Sequence, residues 1–264
     1  VLLEDPAPAT RSAPLVGSYR RLRAASPLAR FDIGAPRAGD GWVTGRQLAE
    51  DQAVVERLVR AETERIHGAY GTAPRTDVAA TWVLHRYAFT VCLAMAAPWF
   101  LERRVPRLPL DGVGYGWRDR ALSVRPSAVT ALRGDPAAEH SGARTVTGAA
   151  ALRAELRTAV AAHLGPVLDG FRPFLRRGKH ALWGLACDEL TDSLRHLGRV
   201  LGTPQSAADA AGALLPGGTP PFVGGAHFEP PTEPDGEPAR TRVGCCLYYT
   251  LRPAELCAGC PRSC

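Results

Sequence analysis

Four of the seven cysteines fall between positions 245 and 260, as Cys245-Cys246 followed by Cys257-Ala258-Gly259-Cys260. Whatever else the chain does, its fold has to bring these two short runs together. The spacing C-C-x10-C-x2-C supplies four soft sulfur donors, a set suited to zinc or to an iron–sulfur cluster. It is not the zinc-ribbon pattern of two facing C-x2-C knuckles, because the first pair has no residue between its members. Neighbouring residues on a regular strand point to opposite faces, so Cys245-Cys246 is expected at a distorted backbone made possible by Gly244. Cys92 and Cys187 sit in apolar helical sequence and read as small buried hydrophobes, and Cys264 reads as a bystander thiol.

The segment Arg242-Val-Gly-Cys-Cys-Leu-Tyr-Tyr-Thr-Leu-Arg-Pro-Ala-Glu-Leu-Cys-Ala-Gly-Cys-Pro261 resembles the C-terminal signature of the FhuF-like ferric siderophore reductases. That family carries C-C-x10-C-x2-C at its C-terminal end, with Leu-Tyr-Tyr after the pair and Pro after the last ligand. A weaker echo is His180-Ala-Leu-Trp-Gly-Leu-Ala-Cys187, similar to the Trp-Gly helix that precedes the family's cluster segment. One departure is that Arg240 and Arg242 are separated by Thr241, where members often have two arginines close before the cysteines. The strong resemblance covers about a tenth of the chain.

The resemblance implies a [2Fe-2S] cluster on Cys245, Cys246, Cys257 and Cys260, and a cytoplasmic oxidoreductase that reduces a ferric siderophore and so releases ferrous iron. Hydroxamate chelators are favoured as substrates. Flavin and NAD(P)H sites are not evident in the sequence, so the expected electron donor is another protein, such as a ferredoxin or flavoprotein. Arg240, Arg242 and Arg252 are candidates for docking the donor or chelate, and Trp183 for packing beside the cluster segment. Two other readings stay open: a zinc-stabilised binding module, and an electron-transfer protein with no siderophore substrate of its own.

Composition fits a soluble enzyme: 264 residues, 45% hydrophobic, can bury a sizeable core. The net charge of +6 is modest and its arginines are scattered, which argues against a nucleic-acid surface. The odd cysteine count and the lack of a secretory signal argue for a reducing compartment over a disulfide scaffold. Residues Val78 to Leu101 are apolar for long enough to span a bilayer, but His85-Arg86 lies near the middle, so a buried core helix is expected rather than a transmembrane one. Such a helix must give His85 or Arg86 a partner or an aqueous cleft.

The expected fold is α+β: a predominantly helical body, a small antiparallel sheet and a C-terminal cysteine-rich cluster-binding segment. Residues 1–14 read as a flexible N-terminus, 15–215 as the body, 216–239 as a Pro/Gly-rich linker and 240–264 as the cluster-binding segment. Helices are expected at Leu15 to Ala25, Arg46 to His67, Val78 to Leu101, Ala149 to His163, Pro166 to Arg176, Lys179 to Val200 and Pro204 to Leu215. Gly112 to Leu132 alternates too quickly for a helix and reads as two or three strands, with Asp135 to Arg144 as a loop. No nucleophile elbow, H-E-x-x-H pair, P-loop or dinucleotide fingerprint competes with the cysteines.

Overall fold

The computed structural model describes residues 8–28, 30–230 and 237–263. Residues 1–7 of the expected lead-in, 231–236 of the expected linker and Cys264 lie outside the described residues. The architecture is α+β, helices with two small sheets, and the chain divides into two compact units: residues 1–45 with 90–163, and residues 46–89 with 164–264.

The first unit holds helix α1 (Pro8–Ala25) and seven short strands. Helix α1 begins at Pro8 rather than Leu15, with proline at the first helical position, where its missing N–H goes unused. The strands are β1 (Phe31–Ile33), β2 (Trp42–Thr44), β3 (Arg104–Arg107), β4 (Val113–Gly116), β5 (Ala121–Val124), β6 (Ala128–Leu132) and β7 (Ala143–Val146). They form a sheet of order β1-β5-β4-β2 and another of order β3-β6-β7. The expected single antiparallel sheet is thus corrected to two mixed ones: β4 to β6 fall within 112–132 as expected, but β1 pairs parallel to β5 and β7 parallel to β6. Strands of three to five residues show too little alternation to be recognised alone. This unit also has an open groove of about 910 Å³ between α1 and β1, lined in part by Tyr19, Arg20, Arg23 and Arg125.

In the second unit, the expected helix from Arg46 to His67 is two helices, α2 (Gly45–Glu50) and α3 (Gln52–Tyr70). Asp51 makes the break, its carboxylate accepting from the N–H groups of Ala53 (3.0 Å) and Val54 (3.2 Å) as the N-cap of α3. Helix α4 (Thr76–Glu102), whose residues 90–102 belong to the first unit, runs through Pro98, and 78% of its most apolar 18-residue stretch is buried inside the protein, as a core helix requires. The two residues expected to need partners have them: Arg86 pairs with Glu62 of α3, and His85 with Glu189. Helix α5 (Ala149–Phe171), whose residues 149–163 belong to the first unit, continues through Gly165-Pro166, where two helices were expected. Helices α6 (Lys179–Val200) and α7 (Pro204–Leu214) lie where the sequence placed them. Beyond α7 the described chain is irregular, with one bridge between Glu229 and Ala239 and one turn of 3₁₀ helix at Tyr248–Thr250.

Candidate metal centre

Helix α6 carries Asp188, Glu189 and Asp192 within little more than one turn, and Asp188 and Glu189 are buried. Buried carboxylates need cations or N–H donors. Both come from the tail. Arg240 and Arg242 flank exposed Thr241, and both turn their side chains toward α6. Arg240 pairs with Asp188 and, at 2.9 Å, with Asp192. Arg242 pairs with Glu189, which also binds Nδ1 of His85. Burial opposes the Arg242 charge, but Glu189, Asp192 and Asp188 outweigh it and hold its pKa above the usual arginine value. Burial likewise opposes the Glu189 charge, and His85 and Arg242 outweigh it, lowering that carboxyl.

Asp188 does more than neutralise arginine. Its two carboxylate oxygens accept the N–H groups of Val243 (2.8 Å) and Gly244 (2.7 Å), the residues entering the cysteine pair. A side chain at Gly184 would come within 3.2 Å of Val243, so the bare backbone of α6 lets the tail lie close. The second cysteine run is tied to the first by Arg242 N–H donating to the Gly259 carbonyl at 2.8 Å. Gly259 has φ +68°, and a Cβ there would sit 2.7 Å from the Arg240 carbonyl oxygen. Cys260 N–H then donates to the Cys257 carbonyl (3.1 Å), closing the turn between these two cysteines.

The expected distortion at the cysteine pair is present but displaced. Leu247, not Gly244, takes the left-handed conformation, at φ 66°, and its N–H donates to Cys245 Sγ at 3.4 Å. What restricts position 244 is space, since a Cβ there would stand 3.2 Å from the Asp188 carboxylate.

Trp82 and His85 of α4 were not singled out as site residues by the sequence. Trp82 Nε1–H donates to the Cys246 carbonyl at 2.8 Å, and its ring stacks on Tyr248 and meets Tyr70 edge-on. Exposed Arg252, a candidate docking residue in the sequence, lies over the Tyr70 ring at 5.6 Å, whereas the guanidinium groups of Arg240 and Arg242 face inward. Those two groups are enclosed by α6 carboxylates, so the place of Arg240 and Arg242 as docking residues is corrected to one as internal anchors. Trp183 is a buried residue packed edge-on against Phe222 at 5.5 Å, one position from the Gly184 contact with the tail. Cys92 and Cys187 are buried, and burial, followed by the charge of Asp188, pushes the Cys187 thiol up to about 12.

Cys245, Cys246 and Cys257 are half-buried and Cys260 is buried. Cys246 Sγ and Cys257 Sγ are 3.2 Å apart. Two thiolates on one tetrahedral metal with a metal–sulfur bond of about 2.3 Å would stand roughly 3.8 Å apart, so this pair is close to ligating distance. Burial first, and then the adjoining Cys246 and Cys260 thiols, push Cys257 up to about 12. A cation at the sulfurs reverses that penalty, because it favours the thiolate that close packing of thiols disfavours. Among the described residues, no three His, Cys, Asp or Glu side chains surround one point as a single-ion site requires. The donor set and its partial enclosure fit an iron–sulfur cluster.

No curated protein matches the chain. Residues 242–262, which contain all four of these cysteines and the Arg242 that ties them to α6, match the family model described as the FhuF 2Fe-2S C-terminal domain, which points to an iron–sulfur protein of siderophore-iron reductase type.

Proposed function

We propose that this chain is a cytoplasmic ferric-siderophore reductase in which Cys245, Cys246, Cys257 and Cys260 hold a [2Fe-2S] cluster, a ferredoxin or flavoprotein supplies the electron, and chelated iron receives it. The observation that carries the reading is the match over residues 242–262, in a tail fixed to α6 by Asp188 and Arg240. Ferric iron is a hard acid held by charged oxygen donors, and ferrous iron binds such sites far less tightly, so one electron releases the metal. A [2Fe-2S] cluster supplies that one-electron chemistry when bound.

The chain's own residues then have distinct tasks. Asp188 fixes the backbone entering Cys245, Trp82 fixes the carbonyl of Cys246, and Gly259 permits the turn between Cys257 and Cys260. The Leu247 N–H directed at Cys245 Sγ favours added negative charge on that sulfur, as hydrogen bonds to ligands do. Arg252 offers an exposed cation for an acidic donor.

Anaerobic purification tests the reading. A red-brown protein with iron and acid-labile sulfide, whose reduced form is reoxidised by a ferric chelate, is expected. Colourless protein with stoichiometric zinc would overturn it in favour of the zinc-stabilised module. Coloured protein that stays reduced beside every ferric chelate would make it an electron carrier only.

A further inference from the structure

A pocket of about 230 Å³ opens against the cysteine segment, walled by Ala258 and Gly259 on one side and by Arg195, His196 and Arg199 of α6 on the other. Ala258 and Gly259 are the two residues between Cys257 and Cys260, so a group held here lies beside the metal ligands. Phe89, Arg240, Arg242 and the Asp192 carboxylate also contribute to its wall. The Nε atoms of Arg195, Arg240 and Arg242 are buried and make no hydrogen bond, although Asp192 lies 3.5 Å from Nε of Arg242 and the carboxylates of α6 satisfy other atoms of Arg240 and Arg242. A buried donor left without an acceptor costs about 1–3 kcal/mol. Four arginines thus line the pocket against the single carboxylate of Asp192. Its His196 adds no full charge at neutral pH, since burial and then Arg199 lower its pKa.

The negative charge nearest Arg195 and Arg199 comes from outside the helix. Glu237, on the irregular stretch before the cysteines, receives Nε and Nη2 of Arg199 at 2.9 and 2.8 Å and approaches Arg195 at 3.8 Å. Both the Arg199 and Glu237 side chains are more than a third exposed, at 53% and 37%. Exposed ion pairs contribute about 0.2–1 kcal/mol, so this contact is readily exchanged for another carboxylate. The Asp188–Arg240 pair, enclosed by the protein, has no such freedom.

We propose that this pocket is the subsite for a carboxylate arm of an anionic ferric chelate, and that Glu237 is an internal counter-ion of Arg195 and Arg199 which the arm replaces as their partner. The proposal rests on the reductase reading and narrows its substrate from the hydroxamate class to carboxylate-bearing chelates. A volume of about 230 Å³ is below the roughly 300–1,000 Å³ of whole-ligand pockets. It holds one arm, and the rest of the chelate stays outside, beside the Cys257–Cys260 turn.

Gallium(III) chelates are redox-inert, so calorimetric titration of the cluster-loaded protein reads binding without turnover. Gallium(III) dicitrate supplies the anionic probe and gallium(III) tris(acetohydroxamate) the neutral one. Glu237→Gln should tighten dicitrate binding several-fold, and the Arg195→Gln/Arg199→Gln pair should weaken it about tenfold or more, an effect of ~1.4 kcal/mol. The neutral chelate should change less than twofold in each variant. Equal dicitrate affinity in wild type, Glu237→Gln and the double variant would overturn the subsite, even where wild type reduces ferric chelates normally. Variant-dependent dicitrate binding by a protein that reduces no ferric chelate would uphold the subsite and overturn the reductase reading instead.

Discussion

Asp188 and Arg240 form an ion pair in which neither side chain is more than 1% exposed, and the same carboxylate also receives the backbone N–H groups of Val243 and Gly244. The pair is therefore the joint between α6 and the cysteine tail. Removing one partner of a buried pair leaves the other charge uncompensated, at a cost of about 3–5 kcal/mol. Asp188→Ala should lower stability by that order and release the cluster during purification. Asp188→Asn keeps one acceptor oxygen and should fall between it and wild type. Denaturant titration alongside iron content checks this, and an Asp188→Ala protein with wild-type midpoint and full iron would refute the joint.

The cysteines divide cleanly by surroundings. Replacing Cys245, Cys246, Cys257 or Cys260 singly by Ser should lower bound iron and labile sulfide by half or more and change the visible spectrum. Cys92→Ala and Cys187→Ala should keep both, since these thiols are packed inside helices. A Cys257→Ser protein with a full cluster and unchanged spectrum would sink the ligand assignment.

Charge reversal separates docking from folding. Arg240→Glu or Arg242→Glu adds a negative charge beside Asp188, Glu189 and Asp192 and should disrupt the fold. Arg252 is exposed, so Arg252→Glu should leave iron content and stability unchanged while slowing reduction by an acidic donor at low ionic strength. Salt should erase most of that difference, because the Debye length is only about 8 Å at 0.15 M. Identical rates and identical salt dependence would remove Arg252 from the donor surface.

The clustering of the four cysteines and α6 were legible because each rests on local information: a fixed spacing in one case and a 22-residue amphipathic run in the other. The Arg-Thr-Arg spacing was visible as well, but its meaning was not. The spacing matters only once the segment is known to lie against three carboxylates of α6, which is a tertiary fact. The same holds for Trp82 and His85, which in sequence are two polar interruptions of an apolar helix. The glycines around Tyr115 carried no motif because they answer to packing. A Cβ at Gly114 would lie 2.4 Å from the Arg37 carbonyl oxygen, a contact made across 77 residues of chain that no local pattern records.

Trp82 offers a test of how the second cysteine is held. Trp82→Phe keeps an aromatic ring against Tyr248 but loses the N–H donated to the Cys246 carbonyl. The expected loss is about 1 kcal/mol, the net worth of a typical hydrogen bond, with faster bleaching of the cluster on warming. Trp82→Ala also removes the packing and should cost about 3–5 kcal/mol. If Trp82→Phe bleaches at the wild-type rate and unfolds at the wild-type midpoint, the indole N–H has no part in holding Cys246.

His163 gives the first unit its own acid sensitivity. The ring is buried, with Nδ1 2.8 Å from the Leu108 carbonyl, and burial lowers its pKa from 6.5 to about 4 against the opposing effect of that hydrogen bond. Between those two values the unfolded chain binds a proton that the folded chain refuses, so stability rises with pH across the window. The contribution is fully present above pH 6.5 and is lost as pH falls toward 4, a span of about 3 kcal/mol. Below about pH 4 both states are protonated and the dependence flattens. His163→Gln retains a donor for Leu108 but does not titrate. Anaerobic urea titrations at pH 7.5 and 4.5 should show the variant losing about 2 kcal/mol less than wild type between the two conditions. An equal loss in both proteins would mean that His163 takes up its proton in the folded state at its ordinary pKa.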